Sequence, residues 1–225
     1  MKPLFDLNLE LDEGGLDQRG VSELHLDENI QLWARENRIT LLMEEQERHF
    51  LPDISRFTKP LDLRCVVHPH PECRFIFVRL TIAFNPASGA IVQDLVPKRV
   101  DSGQPLKITT TYRGGLSFEY NEVKLSDMAG VEHSKEYQHY FPEIVGSGVN
   151  TNRVIWDFKT PMNDVELYVD RDLFLLIAYP EDRSTVTAEI TLRARVIRKG
   201  LIGYIPLIGK KTQEFRLDQD LTGQV

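Results

Sequence analysis

The densest concentration of chemistry in the chain is Cys65-Val66-Val67-His68-Pro69-His70-Pro71-Glu72-Cys73. Two thiols and two imidazoles in a C-x2-H-x-H-x2-C array match the ligand types and number of a closed structural zinc site. The spacing resists that use. Such sites draw their ligands in pairs from two separated segments, whereas Pro69 and Pro71 stiffen a short stretch that would have to wrap the tetrahedron alone. Oxidation of the thiol pair Cys65 and Cys73 is a second reading. The plainest expectation needs no zinc and no other cofactor. It is a hairpin turning near Pro69, with Cys65 opposite Cys73 and with His68 and His70 at an exposed tip.

A second group, His133, Glu136, Tyr137, His139, Tyr140 and Glu143, falls in a stretch with no clear period. A helical turn over 132–140 would put His139 beside Glu136 and Lys135, an arrangement that steers a proton-transferring imidazole. No H-E-x-x-H, G-x-S-x-G or Walker sequence accompanies it. The balance leans away from an enzyme, with these histidines on a surface loop.

From Gly200 to Gly209 the chain reads Gly-Leu-Ile-Gly-Tyr-Ile-Pro-Leu-Ile-Gly, between Arg198-Lys199 and Lys210-Lys211. Strand-like runs on both sides make it a hairpin loop or an extension beyond the sheet. Loop tips face water and are normally polar, so an apolar one needs a cover. Three covers fit. A membrane would take Ile202, Tyr204, Ile205, Leu207 and Ile208 into its headgroup boundary while Lys199, Lys210 and Lys211 meet anionic lipid. A protein partner would bury the same patch. The open end of the chain's own core would also accept it, leaving the lysines in water.

The elements that must position these residues are mostly strands. Phe5 to Asp12 alternates apolar and polar residues, and so does Thr185 to Arg198. Leu61 to Val67, Cys73 to Phe84, Ile91 to Val100, Arg153 to Thr160 and Gln213 to Leu217 also read as strands. Leu173 to Tyr179 is apolar throughout and suits a central strand covered on both sides. Asp27 to Phe50 holds no Gly or Pro, and Asp27 is placed to cap a helix from Glu28, although Ile39 to Met43 also suits a strand. The expected fold is mainly β, an antiparallel β-sandwich with an N-terminal α-helix, with α+β as the alternative. Residues 1–60 would form an appendage packed on a 61–225 sandwich domain, with an irregular insertion near 128–152. Trp33, Trp156, Phe75, Phe77, Phe118, Tyr120 and Phe158 are expected inside.

Charge narrows the partner classes. The net charge is −7, and Phe118 and Tyr120 alternate with Ser117, Glu119 and Asn121 rather than with basic residues, so nucleic acid is not expected. Between residues 193 and 211 stand six basic side chains and no acidic one, while residues 1–60 hold seven basic and thirteen acidic. The two ends of the chain are suited to pack together. Two cysteines, the lack of a signal-like core in residues 1–15 and the lack of a long apolar run point to the cytoplasm. The expected function is a non-catalytic interaction module that docks on a protein partner or an anionic membrane surface through loop 200–209. A homo-oligomer is compatible with it. The alternative is a metal-binding or thiol-redox protein built on Cys65, His68, His70 and Cys73.

Overall fold

The computed structural model describes residues 2–12, 34–46, 48–51, 55–111, 115–119, 135–160, 167, 169–198 and 204–216. Among them the chain is mostly antiparallel β, in two sheets. The six-stranded sheet contains β1 (Lys2–Asn8), β3 (Arg38–Glu45), β4 (His49–Leu51), β5 (Arg56–His68), β7 (Ile91–Val96) and β12 (Asp170–Pro180). Its order is β1-β3-β5-β12-β7, with β4 also pairing β5. The eight-stranded sheet contains β2 (Glu10–Leu11), β6 (Cys73–Phe84), β8 (Arg99–Thr111), β9 (Gly115–Glu119), β10 (Lys135–Ser147), β11 (Arg153–Lys159), β13 (Thr185–Arg198) and β14 (Ile205–Arg216). Its order is β2-β14-β13-β6-β11-β10-β8-β9.

Period-two patterning explains why these segments are strands. In β13, Val186, Ala188, Ile190, Leu192, Ala194 and Val196 are buried, and the residues between them are exposed or partly so. Leu61, Leu63 and Leu175 of one sheet and Leu80, Trp156 and Ile190 of the other belong to a single apolar cluster. Full burial of a side chain of this size contributes about 1.5–3 kcal/mol relative to exposure. In β12 the alternation is stronger than its composition suggests. Leu173, Leu175 and Ile177 are buried, whereas Phe174 and Leu176 turn outward and are half-buried, so the strand is central but covered fully on one side only.

Four expectations change. Of the expected helix, the described part is helical at residues 34–36 and ends there, because from Arg38 onward Ile39 and Leu41 alternate inward as β3 against Val67 and Cys65. The 3.6-residue spacing of Ile39, Leu42 and Met43 loses to that pairing. Trp33 and the expected helix before it lie outside the described residues. In place of an irregular insertion over 128–152, Lys135–Ser147 is β10, and register shifts around Pro142 break the alternation that would have marked it. The helical neighbours of His139 are therefore not available. His133 lies outside the described residues.

The opening strand is two strands. β1 and β2 separate at the fully buried Leu9, and each takes the edge of a different sheet. The acidic N-terminal segment and the basic 193–211 window do meet. Asp12 N–H donates to the Pro206 carbonyl at 3.0 Å, Lys211 Nζ donates to the Leu4 carbonyl at 3.0 Å, and Arg193 Nε lies 3.8 Å from Asp12 Oδ2.

One close approach in the eight-stranded sheet is testable. Gly146 of β10 donates to the Lys98 carbonyl at 2.8 Å, and a Cβ on it would drive into the Pro97 carbonyl oxygen and Leu95 Cδ1. Gly146→Ala is expected to cost about 1–3 kcal/mol through overpacking. Urea unfolding checks it: the midpoint should fall at unchanged slope, and a wild-type midpoint would show that the contact yields.

Candidate functional site

The cysteine and histidine run is not a hairpin. β5 and β6 lie in different sheets, so Pro69, His70, Pro71 and Glu72 form an arch from one to the other. Cys65 sits mid-strand opposite Leu41 and Arg171, while Cys73 opens β6 opposite Arg198. Both thiols are free and buried. Burial pushes the Cys65 thiol up to about 12 and also raises Cys73, against which a hydrogen bond with the Asn37 side chain acts in part. A thiol held protonated is a poor nucleophile. Among the described residues no group of three or more His, Cys, Asp or Glu is placed to hold a metal ion, so the fold does not gather Cys65, His68, His70 and Cys73 into the tetrahedron a zinc reading needs.

The histidines serve the fold instead. His68 Nε2 lies 3.1 Å from Thr40 Oγ1. His70 Nδ1 accepts from the Glu72 N–H at 3.2 Å, which leaves the proton on Nε2, 2.9 Å from Glu36 Oε2. Asn37, 1% exposed, binds three segments at once. Its Oδ1 accepts from the His70 N–H at 3.0 Å, its carbonyl accepts from Leu9 N–H at 3.2 Å, and its own N–H donates to the Ala34 carbonyl at 3.2 Å. Arg198 closes the arch by donating from Nη2 to Glu72 Oε2 at 3.1 Å.

The apolar run also folds differently. From Ile205 on it is β14, paired with β13 from Val196↔Ile205 through Thr185↔Arg216. Ile205 is 5% and Leu207 1% exposed, so both are core and neither is available for docking. Pro206 and Gly209 look like turn residues in the sequence, yet Pro206 is tolerated opposite Arg195 and its carbonyl receives Asp12. Lys199 and Ile202 lie outside the described residues, as does the turn between β13 and β14. The strand alternation turns Tyr204, Ile208 and Lys210 to the outer face of the eight-stranded sheet, while Lys211 reaches inward to the Leu4 carbonyl of β1.

That outer face carries an unexpected group. The β13–β6 pairing steps from Arg195↔Phe77 to Val196↔Phe75, a bulge that leaves Ile76 out of register. Phe75 therefore stays buried while Phe77 turns outward, against the expectation that both face the core. The Arg195 guanidinium stands 5.2 Å from the Phe77 ring centroid and 4.9 Å from that of Tyr204. Such a cation–π contact contributes about 0.5–1 kcal/mol at an exposed site. Arg79 lies 5.7 Å from the same Phe77 ring and grips Asp157 with both forks, Nε to Oδ1 at 2.6 Å and Nη2 to Oδ2 at 2.8 Å. That hydrogen-bonded pairing raises the Arg79 pKa. Lys159 Nζ is 3.7 Å from Asp157 Oδ2.

Ladder register sets Glu10, Ile208, Arg193, Arg79 and Asp157 in one row across five strands. Of the cations on this face, Arg193 has its side chain 56% exposed, and among the described residues its acidic neighbour is Asp12 at 3.8 Å. The wet face of β13, with Arg193 and Arg195, was visible in the alternation. The bulge that adds Phe77 to it had no signal in the sequence.

No family model matches this chain, and no curated protein does. Solved structures with a distant resemblance include Clostridium perfringens delta-toxin, at 13% identity and a TM-score of 0.38 over 79% of this chain and 83% of that one. A pore forming protein matches at 11% identity and a TM-score of 0.38 over 80% and 86%. The Clostridium perfringens NetB toxin in its membrane inserted form matches at 11% identity and a TM-score of 0.35 over 79% and 89%. Similarity at this level assigns no residue and no activity. The cytoplasmic location expected from the sequence disagrees with what these neighbours are and is not carried forward.

Two outcomes follow from these placements. Ile205→Asp or Leu207→Asp buries a carboxylate without a partner and is expected to cost about 3 kcal/mol or more, whereas the half-exposed Ile208→Asp should stay within about 1 kcal/mol. Thermal unfolding followed by circular dichroism separates them, and equal melting points would sink the inward–outward assignment. The buried Cys65 thiol keeps its proton up to about 12, while an unfolded chain releases it near 9.0. Its stabilising contribution is complete below pH 9.0 and lost as pH rises from there towards 12. Cys65→Ala should flatten that alkaline loss in urea titrations, and an unchanged slope would count against it.

Proposed function

We propose that this chain is a non-catalytic docking module, a β-sandwich that meets an anionic membrane surface through the outer face of its eight-stranded sheet. The observation that carries this reading is the Arg195 stack on Phe77 and Tyr204, next to the half-exposed Ile208 and the exposed Lys210. Apolar and aromatic groups flanked by cations are what the boundary of a charged bilayer accepts, each cation near the surface contributing about 1 kcal/mol. The buried Ile205 and Leu207 hold the strand rather than the partner.

The opposite outer face supports an orientation. Asp6, Glu44, Asp170 and Asp172 are exposed on the six-stranded sheet, with Arg64 bound to Asp170 at 2.7 Å and Arg38 to Asp6 at 3.3 Å. An anionic surface repels that face and attracts the other, so a chain with net charge −7 can still approach with its cationic side forward.

Co-sedimentation with neutral and anionic vesicles tests the reading, using the native chain and an Ile208→Asp, Lys210→Glu double variant. Binding that requires anionic lipid, weakens with added salt and drops at least about tenfold in the variant is the expected result. A native chain that stays in the supernatant with anionic vesicles would rule the membrane out and leave a protein partner as the occupant of this face.

A further inference from the structure

Arg195 is held in a way that a charge alone does not need. Its guanidinium lies near two rings, Phe77 of β6 at 5.2 Å and Tyr204 at the start of β14 at 4.9 Å, so strands on both sides of β13 contribute to its seat. The cations around it differ in availability. Arg79 is committed to Asp157 through two hydrogen bonds, and Arg198 donates to Glu72. Arg193, two residues away on the same face of β13, has among the described residues the 3.8 Å approach to Asp12 and a largely exposed side chain. A guanidinium backed by rings presents its N–H edge as a rigid fork, which suits two oxygens of one anion better than a diffuse field of charge. Residues two apart along a strand stand about 6.5–7 Å from each other, a separation that lets a second arginine reach the same group.

Resting on the membrane reading above, we infer that Arg195 and Arg193 together recognise a lipid headgroup that ends in a phosphate monoester. A terminal monoester has three free oxygens and a charge of about −1.5 to −2, enough for the Arg195 fork on two oxygens and for Arg193 on the third. A phosphodiester headgroup has two free oxygens and one negative charge, and satisfies the fork without the second arginine. The exposed Arg193, Arg195 and Lys210 supply the charge complementarity, and the two rings supply the geometry.

The experiment compares vesicles of matched surface potential that contain either phosphatidic acid or phosphatidylserine, with the full chain, Arg195→Lys and Phe77→Leu. The native chain is expected to partition about tenfold more strongly onto phosphatidic acid. Arg195→Lys keeps the charge and removes the planar fork, so the preference for phosphatidic acid over phosphatidylserine should fall to about twofold or less. Phe77→Leu, which keeps both arginines but removes one ring, should give an intermediate preference. Thermal melts within a few degrees of native show that each variant is folded.

Equal native binding to both vesicles overturns the headgroup inference and leaves membrane docking intact. A preference that survives Arg195→Lys also overturns it. Absence of binding to either vesicle overturns both readings. Tighter binding of a single-stranded oligonucleotide than of phosphatidic acid vesicles would assign the face to nucleic acid and reject the lipid.

Discussion

The amide of Asn37 sits where three segments that have no sequence proximity must agree. Its carbonyl takes the Leu9 N–H at the point where the chain leaves the six-stranded sheet as β1 and enters the eight-stranded sheet as β2. β2 then pairs with β14 through Glu10↔Ile208 and Leu11↔Leu207, and Asp12 donates to Pro206. Its side-chain oxygen takes the His70 N–H and so sets the arch that delivers Cys73 and β6. An unmet polar group at this depth would cost about 1–3 kcal/mol. β6 and β14 lie on either side of β13 in the register that brings Phe77 and Tyr204 to Arg195.

Charge follows the same geometry. The acidic excess of residues 1–60 and the basic excess of 193–211 partly neutralise one another along the shared edge, where Lys211 reaches Leu4 and Arg193 faces Asp12. What remains is mixed on both faces: Asp6, Glu44, Asp170 and Asp172 stand with Arg38 and Arg64 outside the six-stranded sheet, and Arg79, Arg193, Arg195 and Lys210 with Glu10, Glu189 and Glu214 outside the eight-stranded one. Net charge alone would have assigned this protein a uniformly acidic surface. The distribution is what an approaching charged partner meets, because field strength near a face depends on the groups within about one Debye length, roughly 8–10 Å at moderate salt.

How far the sequence carries depends on whether the period of a segment survives intact. Cys73–Phe84 and Thr185–Arg198 have the bounds that composition and alternation indicate, because uninterrupted β-branched and aromatic runs leave little competition. β3 was obscured because Ile39, Leu42 and Met43 satisfy a helical spacing, and only the ladder to β5 shows that Ile39 and Leu41 are the inward pair. Ile205 and Leu207 were misplaced for a related reason. Gly and Pro on either side suggested a loop, and nothing local reveals that β14 extends to meet Val196. Phe77 is the sharpest case. One residue inserted at Ile76 reverses the face of every side chain on one side of it, and a bulge has no compositional mark.

The same bookkeeping of partners separates the groups that hold the fold from the group left to act. Cys65 is apolar in effect, protonated and enclosed. His70 divides its two nitrogens between Glu72 and Glu36, and Asp157 is taken up by Arg79 with Lys159 nearby. Each of these residue types could do chemistry, and each has its donors and acceptors committed within the structure. Arg195 differs because its contacts among the described residues are the Phe77 and Tyr204 rings. Contact with a π-face restrains a guanidinium without consuming its hydrogen-bond donors, so the side chain is ordered before any ligand arrives and little rotamer entropy remains to be lost on binding. An arginine arranged in this way on an outer sheet face is better suited to bidentate recognition of an anion than to stabilising the sheet that carries it.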